Sequence, residues 1–202
     1  MQFLLWSAVA AAGYLAGSAN FAIIITRWFL HKDVREHGSG NAGTANVARV
    51  FGPWIGLLTL AGDVGKTMAA MWFGSALLGT GGMCAAGAAC IVGHCFPLYF
   101  GFRGGKAVAV TAGVALMLDW RVFLILFALY AATALIIKKV SVASLLAALA
   151  LPLVMLLLGG FAAAEVLLAA FAALAVWVMH RDNIRRILQG EESRFRFGKR
   201  KE

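Results

Sequence analysis

The chain has 202 residues, of which 62% are hydrophobic and only 13% are charged. Soluble domains carry about a quarter charged residues, so this composition and a mean hydropathy of +0.85 exclude that class. The net charge of +9 requires no nucleic-acid partner, because the basic residues lie between apolar runs, as in the inner loops of membrane proteins. Three prolines and dispersed charges leave no long linker. We therefore predict one membrane-embedded domain over residues 1–202, ending in a basic cytoplasmic tail at 180–202.

Apolar runs divide the chain into membrane spans, since a hydrocarbon core of about 30 Å needs about 20 apolar residues per helix. The fourth run is short, and both a tilted span and a re-entrant segment stay open for it. Gly13 and Gly17 in the first run predict close helix packing. We predict an all-α, polytopic transmembrane helix bundle of about seven spans, at 3–25, 53–77, 83–100, 107–118, 121–137, 142–158 and 161–179.

The basic residues orient this bundle. With the N-terminus outside and seven crossings, every Lys and Arg except Lys66 and Arg121 falls in an inner segment or in the tail. The positive-inside rule requires such a bias, and it places the C-terminus in the cytoplasm. A basic inner face also attracts anionic lipid headgroups and anionic substrates, so membrane lipids are expected partners.

The first inner loop, residues 37–49, is rich in glycine, hydroxyl and amide groups and ends in an arginine. Glycine lets backbone N–H groups approach a ligand closely, and concave arrays of such groups bind phosphate. The guanidinium can bind two phosphate oxygens at once. An ordinary flexible turn is the alternative interpretation. The candidate ligands are Gly38, Ser39, Gly40, Asn41, Gly43, Thr44, Asn46 and Arg49.

The second inner loop, residues 93–106, repeats this pattern with more charge. Arg103 and Lys106 flank two glycines, Gly104 and Gly105, which let the backbone close around an anion. His94 at the start of the loop fits three roles: a general base, a hydrogen-bond donor to phosphate, or a packed histidine.

Two charges interrupt the second apolar run. Asp63 and Lys66 are three residues apart, so they can pair on one helix face, or they can support the loops. The sequence Gly65-Lys66-Thr67 matches the end of a phosphate-binding P-loop. That motif also needs a glycine where this chain has Leu60, so we exclude it.

Polar residues also follow the later spans. Ser141 and Ser144 come directly after two lysines and are able to cap the next helix. In the tail, apolar residues share one face, which predicts an amphipathic helix on the membrane surface. The polar residues of interest in the tail are His180, Asn183, Arg186, Gly190 and Glu192.

Taken in order, these pieces resemble the acyl-phosphate:glycerol-3-phosphate acyltransferases, the PlsY family of bacterial membranes. The similarity runs roughly from Gly13 to Glu192. The matching residues are Gly38-Ser39-Gly40-Asn41, Asn46, Arg49, Asp63, Lys66, Gly93-His94, Pro97, Phe102-Arg103-Gly104-Gly105-Lys106, Ser141, Ala143-Ser144, His180, Asn183, Arg186, Gly190 and Glu192.

The resemblance implies a membrane acyltransferase. Such an enzyme moves a fatty acyl group from acyl phosphate to the 1-hydroxyl of glycerol 3-phosphate, giving lysophosphatidic acid and phosphate, the first step of phospholipid synthesis. It implies a multi-pass protein of the bacterial inner membrane whose active site faces the cytoplasm. No cofactor is expected. The three cysteines, Cys84, Cys90 and Cys95, have no metal-site spacing and are predicted to be buried thiols. The oligomeric state is left open.

The resemblance also implies roles for single residues. Both histidines of the later motifs, His94 and His180, are assigned to binding and positioning, and the acyl phosphate's own oxygen is expected to take the proton of the attacking hydroxyl. The expected catalytic residues are Ser39, Arg49, Lys106, His180 and Asn183. The expected substrate- and phosphate-binding residues are Gly38, Gly40, Asn41, Gly43, Thr44, Asn46, His94, Arg103, Gly104, Gly105, Ser141 and Arg186, with Asp63, Lys66 and Glu192 in support.

The chain departs from the family pattern at four places. It has Thr44-Ala45 where the family usually has Ala-Thr, and Lys66-Thr67 and Lys106-Ala107 where the family usually has Lys-Gly. It has Ala109-Val110 where the family favours Ala-Thr. These changes bear on catalytic rate and donor choice, and they keep a catalytically silent, lipid-binding paralogue as one alternative.

A second alternative is a membrane transporter of a phosphorylated metabolite. A transporter predicts ionisable residues along a path through the bilayer midplane. Here the midspan charge is nearly confined to Asp63 and Lys66, and the polar motifs lie on one side, which favours an enzyme. The glycerolipid acyltransferases with a His-x4-Asp motif are excluded, because no histidine has an aspartate five residues later.

Overall fold

The computed structural model describes residues 2–194, and within them the regular structure is helical throughout, as predicted. The tail beyond residue 194 lies outside the described residues. Two short 3-10 turns, Val34–Glu36 and Leu98–Phe100, lie in the inner loops. The α-helices are α1 (Gln2–Ser18), α2 (Phe21–Leu30), α3 (Thr44–Phe51), α4 (Pro53–Cys95), α5 (Val108–Leu118), α6 (Trp120–Ile137), α7 (Val140–Leu158), α8 (Ala163–Met179) and α9 (Arg181–Leu188).

The longest helix, α4, is a hairpin rather than a rod. Its backbone leaves helical geometry at Leu78 and Gly79, and Gly79 has a φ of +58°, which glycine adopts without a Cβ clash. The two arms pack so closely that a Cβ on Gly74 would meet the backbone of Gly82. The hairpin therefore contains the two apolar runs that the sequence predicts on either side of residues 78–82.

The predicted span over residues 3–25 is not one straight helix. The chain breaks after Ser18 and restarts at Phe21 with a bend of 44°. A helix break leaves backbone carbonyls and N–H groups without partners, and such groups are costly inside a membrane.

Two charged side chains of α4 satisfy this break. Lys66 donates from Nζ to the carbonyls of Gly17 at 2.9 Å and Ala19 at 2.8 Å. Asp63 accepts the N–H of Phe21 at 3.3 Å, and its carboxylate lies 2.7 Å from the Lys66 ammonium. The cation thus meets the negative end of one helix dipole, and the carboxylate meets the positive end of the next. The pairing that the sequence offers as one alternative is present, and the pair also supports the helix break.

Small residues bring α1 against the second arm of α4. A Cβ on Gly13 or Gly17 would meet the backbone of Ala86 or Cys90, so the predicted close packing is confirmed. The three cysteines are buried free thiols, also as predicted. A buried apolar core joins α4 and α5 to α6, α7 and α8.

Length and composition alone bear on the number of crossings. Within residues 2–194, α4, α6 and α7 are each long and apolar enough to cross a membrane. Two bent pairs would add one span each: α1 with α2, and α8 with α9, which meet at 60°. The 11 residues of α5 reach only about 16 Å, too short to cross alone. The count of seven crossings and the orientation stay predictions.

Candidate functional site

The first inner loop is folded around the side chain of Asn46. Its amide oxygen accepts the N–H of Ser39 at 2.9 Å. Its amide nitrogen donates to the carbonyls of Val34, His37 and Asn41, at 3.2, 2.9 and 3.1 Å. Asn46 is 2% exposed, so its hydrogen-bonding groups are occupied by the loop itself. Asn46 was expected as a phosphate ligand. In the structure its side chain holds the loop together through these hydrogen bonds.

The glycines of this loop serve its turns. Gly38 and Gly40 have φ values of +60° and +72°, and a Cβ on Gly38 would meet the Asn46 side chain. Gly43 is extended and precedes α3 without capping it by a side chain. The N–H groups of the first turn that a helix cannot satisfy internally are therefore left without a side-chain acceptor.

Among the polar side chains of the loop, Ser39 and Arg49 are exposed, while Asn41 and Thr44 are half-buried. The Thr44 Oγ1 is itself buried and has no hydrogen-bond partner within the described residues.

The second inner loop is folded back onto the end of α4. Gly104 donates its N–H to the carbonyl of Cys95 at 3.1 Å, and Gly105 donates to that of His94 at 3.0 Å. A Cβ on either glycine would collide with this surface. The two glycines thus allow close approach of the loop to α4, and their N–H groups are engaged there, so their expected part in phosphate binding stays a prediction.

His94 lies beneath this loop and is 2% exposed. Its Nδ1 is 3.2 Å from the Lys66 ammonium and 3.6 Å from the Asp63 carboxylate. The Nε2 side faces the backbone at Gly105. Of the three roles that the sequence leaves open for His94, this geometry favours the packed histidine over a direct phosphate contact.

Sequence reasoning missed Arg35, which joins the two inner loops. Its guanidinium Nη1 donates to the carbonyl of Phe100 at 2.8 Å and to that of Arg103 at 3.3 Å. Asn20, at the break between α1 and α2, also ties the first loop down by donating to the carbonyl of Ala42 at 3.2 Å. The pattern Asp33-Val34-Arg35, just before the glycines, was the available signal for Arg35.

The tail brings the last predicted residues together around Glu192, which is 9% exposed. Oε1 accepts from Ser141 Oγ at 2.6 Å and from Asn183 Nδ2 at 2.8 Å. Oε2 accepts from Arg186 Nε at 3.0 Å. Burial raises the pKa of Glu192, but the hydrogen bonds from Ser141, Asn183 and Arg186 outweigh burial and hold it below its usual value. The carboxylate therefore stays ionised and anchors α7 to α9.

Lys106 connects this cluster to the second loop. It donates from Nζ to Asn183 Oδ1, while Arg49 and Arg186 are close enough for their charges to act on it. Burial lowers the pKa of Lys106 and Arg186 lowers it further, while Glu192 opposes both. Arg103, three residues earlier, is exposed.

His180 lies at the bend between α8 and α9 and is 4% exposed. Its Nδ1 is 2.8 Å from the carbonyl of Val176, so Nδ1 carries the proton in the neutral ring and Nε2 is left as an acceptor. The structure thus gathers Lys106, Ser141, Asn183, Arg186 and Glu192 at one end of the bundle, with His180 in the field of Lys106. Asp63, Lys66 and His94 form a separate buried group at the break between α1 and α2.

Comparison with known proteins identifies the family. The family model described as glycerol-3-phosphate acyltransferase matches residues 7–190. The chain belongs to this family. A glycerol-3-phosphate acyltransferase of Carboxydothermus hydrogenoformans is 37% identical over 185 residues, covering 92% of this chain and 94% of that protein.

Two crystal structures of PlsY, an integral membrane glycerol 3-phosphate acyltransferase, have a similar fold. Its glycerol 3-phosphate form matches with a TM-score of 0.88 and 31% identity, over 95% of this chain and 96% of that chain. Its lysophosphatidic acid form matches with a TM-score of 0.85 and 31% identity, over 95% of both chains. The recognition of the family from its loop motifs is thus confirmed.

Proposed function

We propose that this member of the glycerol-3-phosphate acyltransferase family uses acyl phosphate as its donor and acylates the 1-hydroxyl of glycerol 3-phosphate. The observation that carries the proposal is the convergence of basic side chains from separate segments, with Lys106 linked to Asn183 and in the field of Arg49 and Arg186. Two phosphate-bearing substrates need such an accumulation of positive charge. The glycerol 3-phosphate and lysophosphatidic acid forms of the related structure support the acceptor and the product.

The chemistry asks little of the protein beyond positioning and charge. The acceptor oxygen attacks the acyl carbonyl carbon, a new C–O ester bond forms, and the C–O bond to phosphate breaks. The hydroxyl proton passes to an oxygen of the departing phosphate, so no nucleophilic side chain is required. Cations fixed around both phosphates hold the reactants in line and stabilise the negative charge that grows on the leaving group.

We assign phosphate contact to side chains and helix starts rather than to the glycine backbone. The N–H groups of Gly104 and Gly105 are engaged with α4, as is that of Ser39 with Asn46. Arg49, in the last turn of α3, and Lys106, just before α5, remain as cationic ligands, and no side chain caps the first turn of either helix. Uncapped helix starts favour anions.

The donor assay tests this proposal. Purified protein is given glycerol 3-phosphate with palmitoyl phosphate, palmitoyl-CoA or palmitoyl-acyl carrier protein, and lysophosphatidic acid is measured. We expect product only with acyl phosphate, with inorganic phosphate released in equal amount. Equal turnover with palmitoyl-CoA contradicts the donor assignment, and absence of product with every donor contradicts the enzymatic role.

The transporter alternative finds no support in the buried charges. Asp63 and Lys66 have side-chain exposures of 0% and 6%, and they are bonded to each other and to the break between α1 and α2. A transport path requires ionisable groups that face water or cargo. Uptake of a phosphorylated metabolite into sealed vesicles that contain the protein, without acyl donor, would restore this alternative.

We further propose that the protein crosses a bacterial inner membrane seven times, with the N-terminus outside and the site facing the cytoplasm. The short α5 makes one of these crossings together with the residues that flank it. The basic inner loops support this orientation. In a variant without its native cysteines, reporter cysteines at positions 40 and 119 should differ in their accessibility from outside the cell. A membrane-impermeant thiol reagent should label 119 in intact spheroplasts and 40 only after lysis. Labelling of 40 in intact cells contradicts the orientation.

A further inference from the structure

A short turn between α2 and the first inner loop is built around Asp33. Its Oδ1 accepts the N–H of Arg35 at 2.9 Å, which starts the 3-10 turn Val34–Glu36. Its Oδ2 lies 2.9 Å from Nη2 of Arg35 and 2.7 Å from Nη2 of Arg27. One carboxylate therefore fixes two guanidinium groups.

The remaining donor of Arg35 leaves this turn and crosses to the second loop. Nη1 donates to the carbonyls of Phe100 and Arg103 at 2.8 and 3.3 Å, and the Arg35 side chain is 16% exposed. Arg27 approaches the same place, with its guanidinium 5.9 Å from the centre of the Phe100 ring. Both arginines held by Asp33 thus contact one segment of the second loop.

That segment starts at the end of the 3-10 turn Leu98–Phe100 and has no regular structure from there to Lys106. Gly101 and Phe102 have φ values of +67° and +58°, a left-handed turn that brings the flanking carbonyls toward Arg35. On its other side the loop is held by the bonds from Gly104 and Gly105 to the end of α4. Arg35 therefore supplies the outer attachment of the loop that carries Arg103 and Lys106.

The charge of Asp33 decides what Arg35 can bind. Burial raises the pKa of Asp33, but the hydrogen bonds from Arg35 and Arg27 outweigh it and hold the pKa well below its usual value. The ionised carboxylate occupies the Nε and Nη2 edge of the Arg35 guanidinium, an edge that would otherwise be able to bind a phosphate in bidentate fashion. Arg35 is thereby kept for the two loop carbonyls.

We propose that Arg35, held by Asp33, is a positioning residue for acyl transfer. It holds the second loop in a fixed position relative to the first, so that Arg103 and Lys106 contact the substrate phosphates. Arg35 itself contacts no substrate. This inference rests on the proposed function, because the positioned residues are the phosphate ligands of that reaction.

The chain contains a matched control for this role. Asp119 and Arg121 repeat the same local arrangement, with Arg121 N–H to Oδ1 at 2.7 Å and Nη2 to Oδ2 at 2.7 Å. The test compares Arg35→Met, Arg35→Lys and Asp33→Asn with Arg121→Met, Arg121→Lys and Asp119→Asn, all in the full-length protein in detergent. The measurements are kcat, KM for each substrate, melting temperature and hydrogen exchange of peptides covering residues 98–106.

For Arg35→Met we expect kcat/KM to fall about tenfold or more, as for a lost charged hydrogen bond, and exchange over 98–106 to accelerate. Arg35→Lys should recover part of the rate. Unchanged exchange over 98–106 overturns the proposal, whatever the activity. Accelerated exchange with wild-type kcat and KM also overturns it. A wild-type protein inactive with every donor contradicts the proposed function instead, and the exchange data still decide whether Arg35 holds the loop.

Discussion

Two Asp-x-Arg turns in this protein have nearly the same local geometry and different surroundings. In each, the aspartate begins a helical segment and binds the backbone and side chain of the arginine two residues later. Arg121 is 58% exposed, and within residues 2–194 its guanidinium bonds only to Asp119. Arg35 is 16% exposed and reaches two carbonyls of another loop. The motif sets the turn, and its position in the fold sets its use.

The same contrast separates the two ends of the bundle. At the site end, buried or half-buried charges join segments that are far apart in sequence, as Lys106 does with Asn183 and Glu192 with Ser141. About 25 Å away along α6, the α5–α6 turn is closed by the local Asp119 cap. Loss of a charge should therefore reduce stability or activity much more at the site end than at the α5–α6 turn.

The largest effect on stability is expected from Lys66→Met. The change leaves the Asp63 carboxylate buried without its cation and frees the carbonyls of Gly17 and Ala19. Breaking a buried pair in this way costs about 3–5 kcal/mol. Thermal unfolding in detergent measures it, with Lys138→Met, an exposed lysine, as the control. Asp63→Asn added to Lys66→Met should recover part of the loss, and equal melting temperatures for both lysine variants contradict this account.

The next largest effect, on activity, is expected from Lys106→Met. Loss of a charged hydrogen bond to phosphate costs about 1.5–3 kcal/mol, so kcat/KM should fall at least about tenfold to hundredfold. Arg49→Met should behave in the same way, because Arg49 is exposed at the same site. Steady-state kinetics with palmitoyl phosphate measure the loss, again beside Lys138→Met. Wild-type kinetics in both site variants reject their assignment as phosphate ligands.

A smaller and pH-dependent effect distinguishes Lys106 from arginine. Burial and the charge of Arg186 lower the pKa of Lys106 from its usual 10.5. In the free enzyme, Lys106 therefore loses its proton at a lower pH than an exposed lysine does. We expect kcat/KM to fall on the alkaline side as Lys106 loses its proton. Lys106→Arg keeps its charge, so its alkaline fall should move to higher pH. An identical alkaline limb in both proteins shows that another group titrates.

The smallest effects are expected at the far end of the bundle. Arg121→Met and Asp119→Asn remove an exposed ion pair, and such pairs contribute little to stability. We expect melting temperature and kcat/KM to equal those of the wild type within experimental error. A clear loss of activity in either variant would mean that the α5–α6 turn acts on the site, and the contrast between the two ends would fail.

Hydropathy and motif order were enough to predict the helical class, the runs on both sides of residues 78–82 and the family. The break at Ser18 had one local signal, the polar pair Ser18 and Asn20, of which Asn20 caps α2. Its stabilisation was not predictable, because Asp63 and Lys66 come more than forty positions later. A local window records which side chains are present, whereas hydrogen-bond partners depend on the tertiary fold.

The same limit applies within the site. The sequence predicts that Gly104 and Gly105 let the backbone close around an anion, but it does not reveal that their N–H groups bond to α4. Asn46 was read as a ligand, yet it ties its own loop. Ala107 adopts a φ of +63° where the family usually has glycine, a conformation that costs an L-residue about 1–2 kcal/mol. This strain lies next to Lys106, and the departure from Lys-Gly at Lys106-Ala107 was its signal in the sequence.

The break between α1 and α2 has a consequence for the biogenesis of the protein. The carbonyls of Gly17 and Ala19 are satisfied by a lysine that follows them by more than forty residues and so enters the membrane after them. Until the first arm of α4 is inserted, the N-terminal segment has no donor for a broken helix and is more stable as a continuous one. The bend therefore forms late in assembly, and so does the hydrogen bond from Asn20 to the first loop.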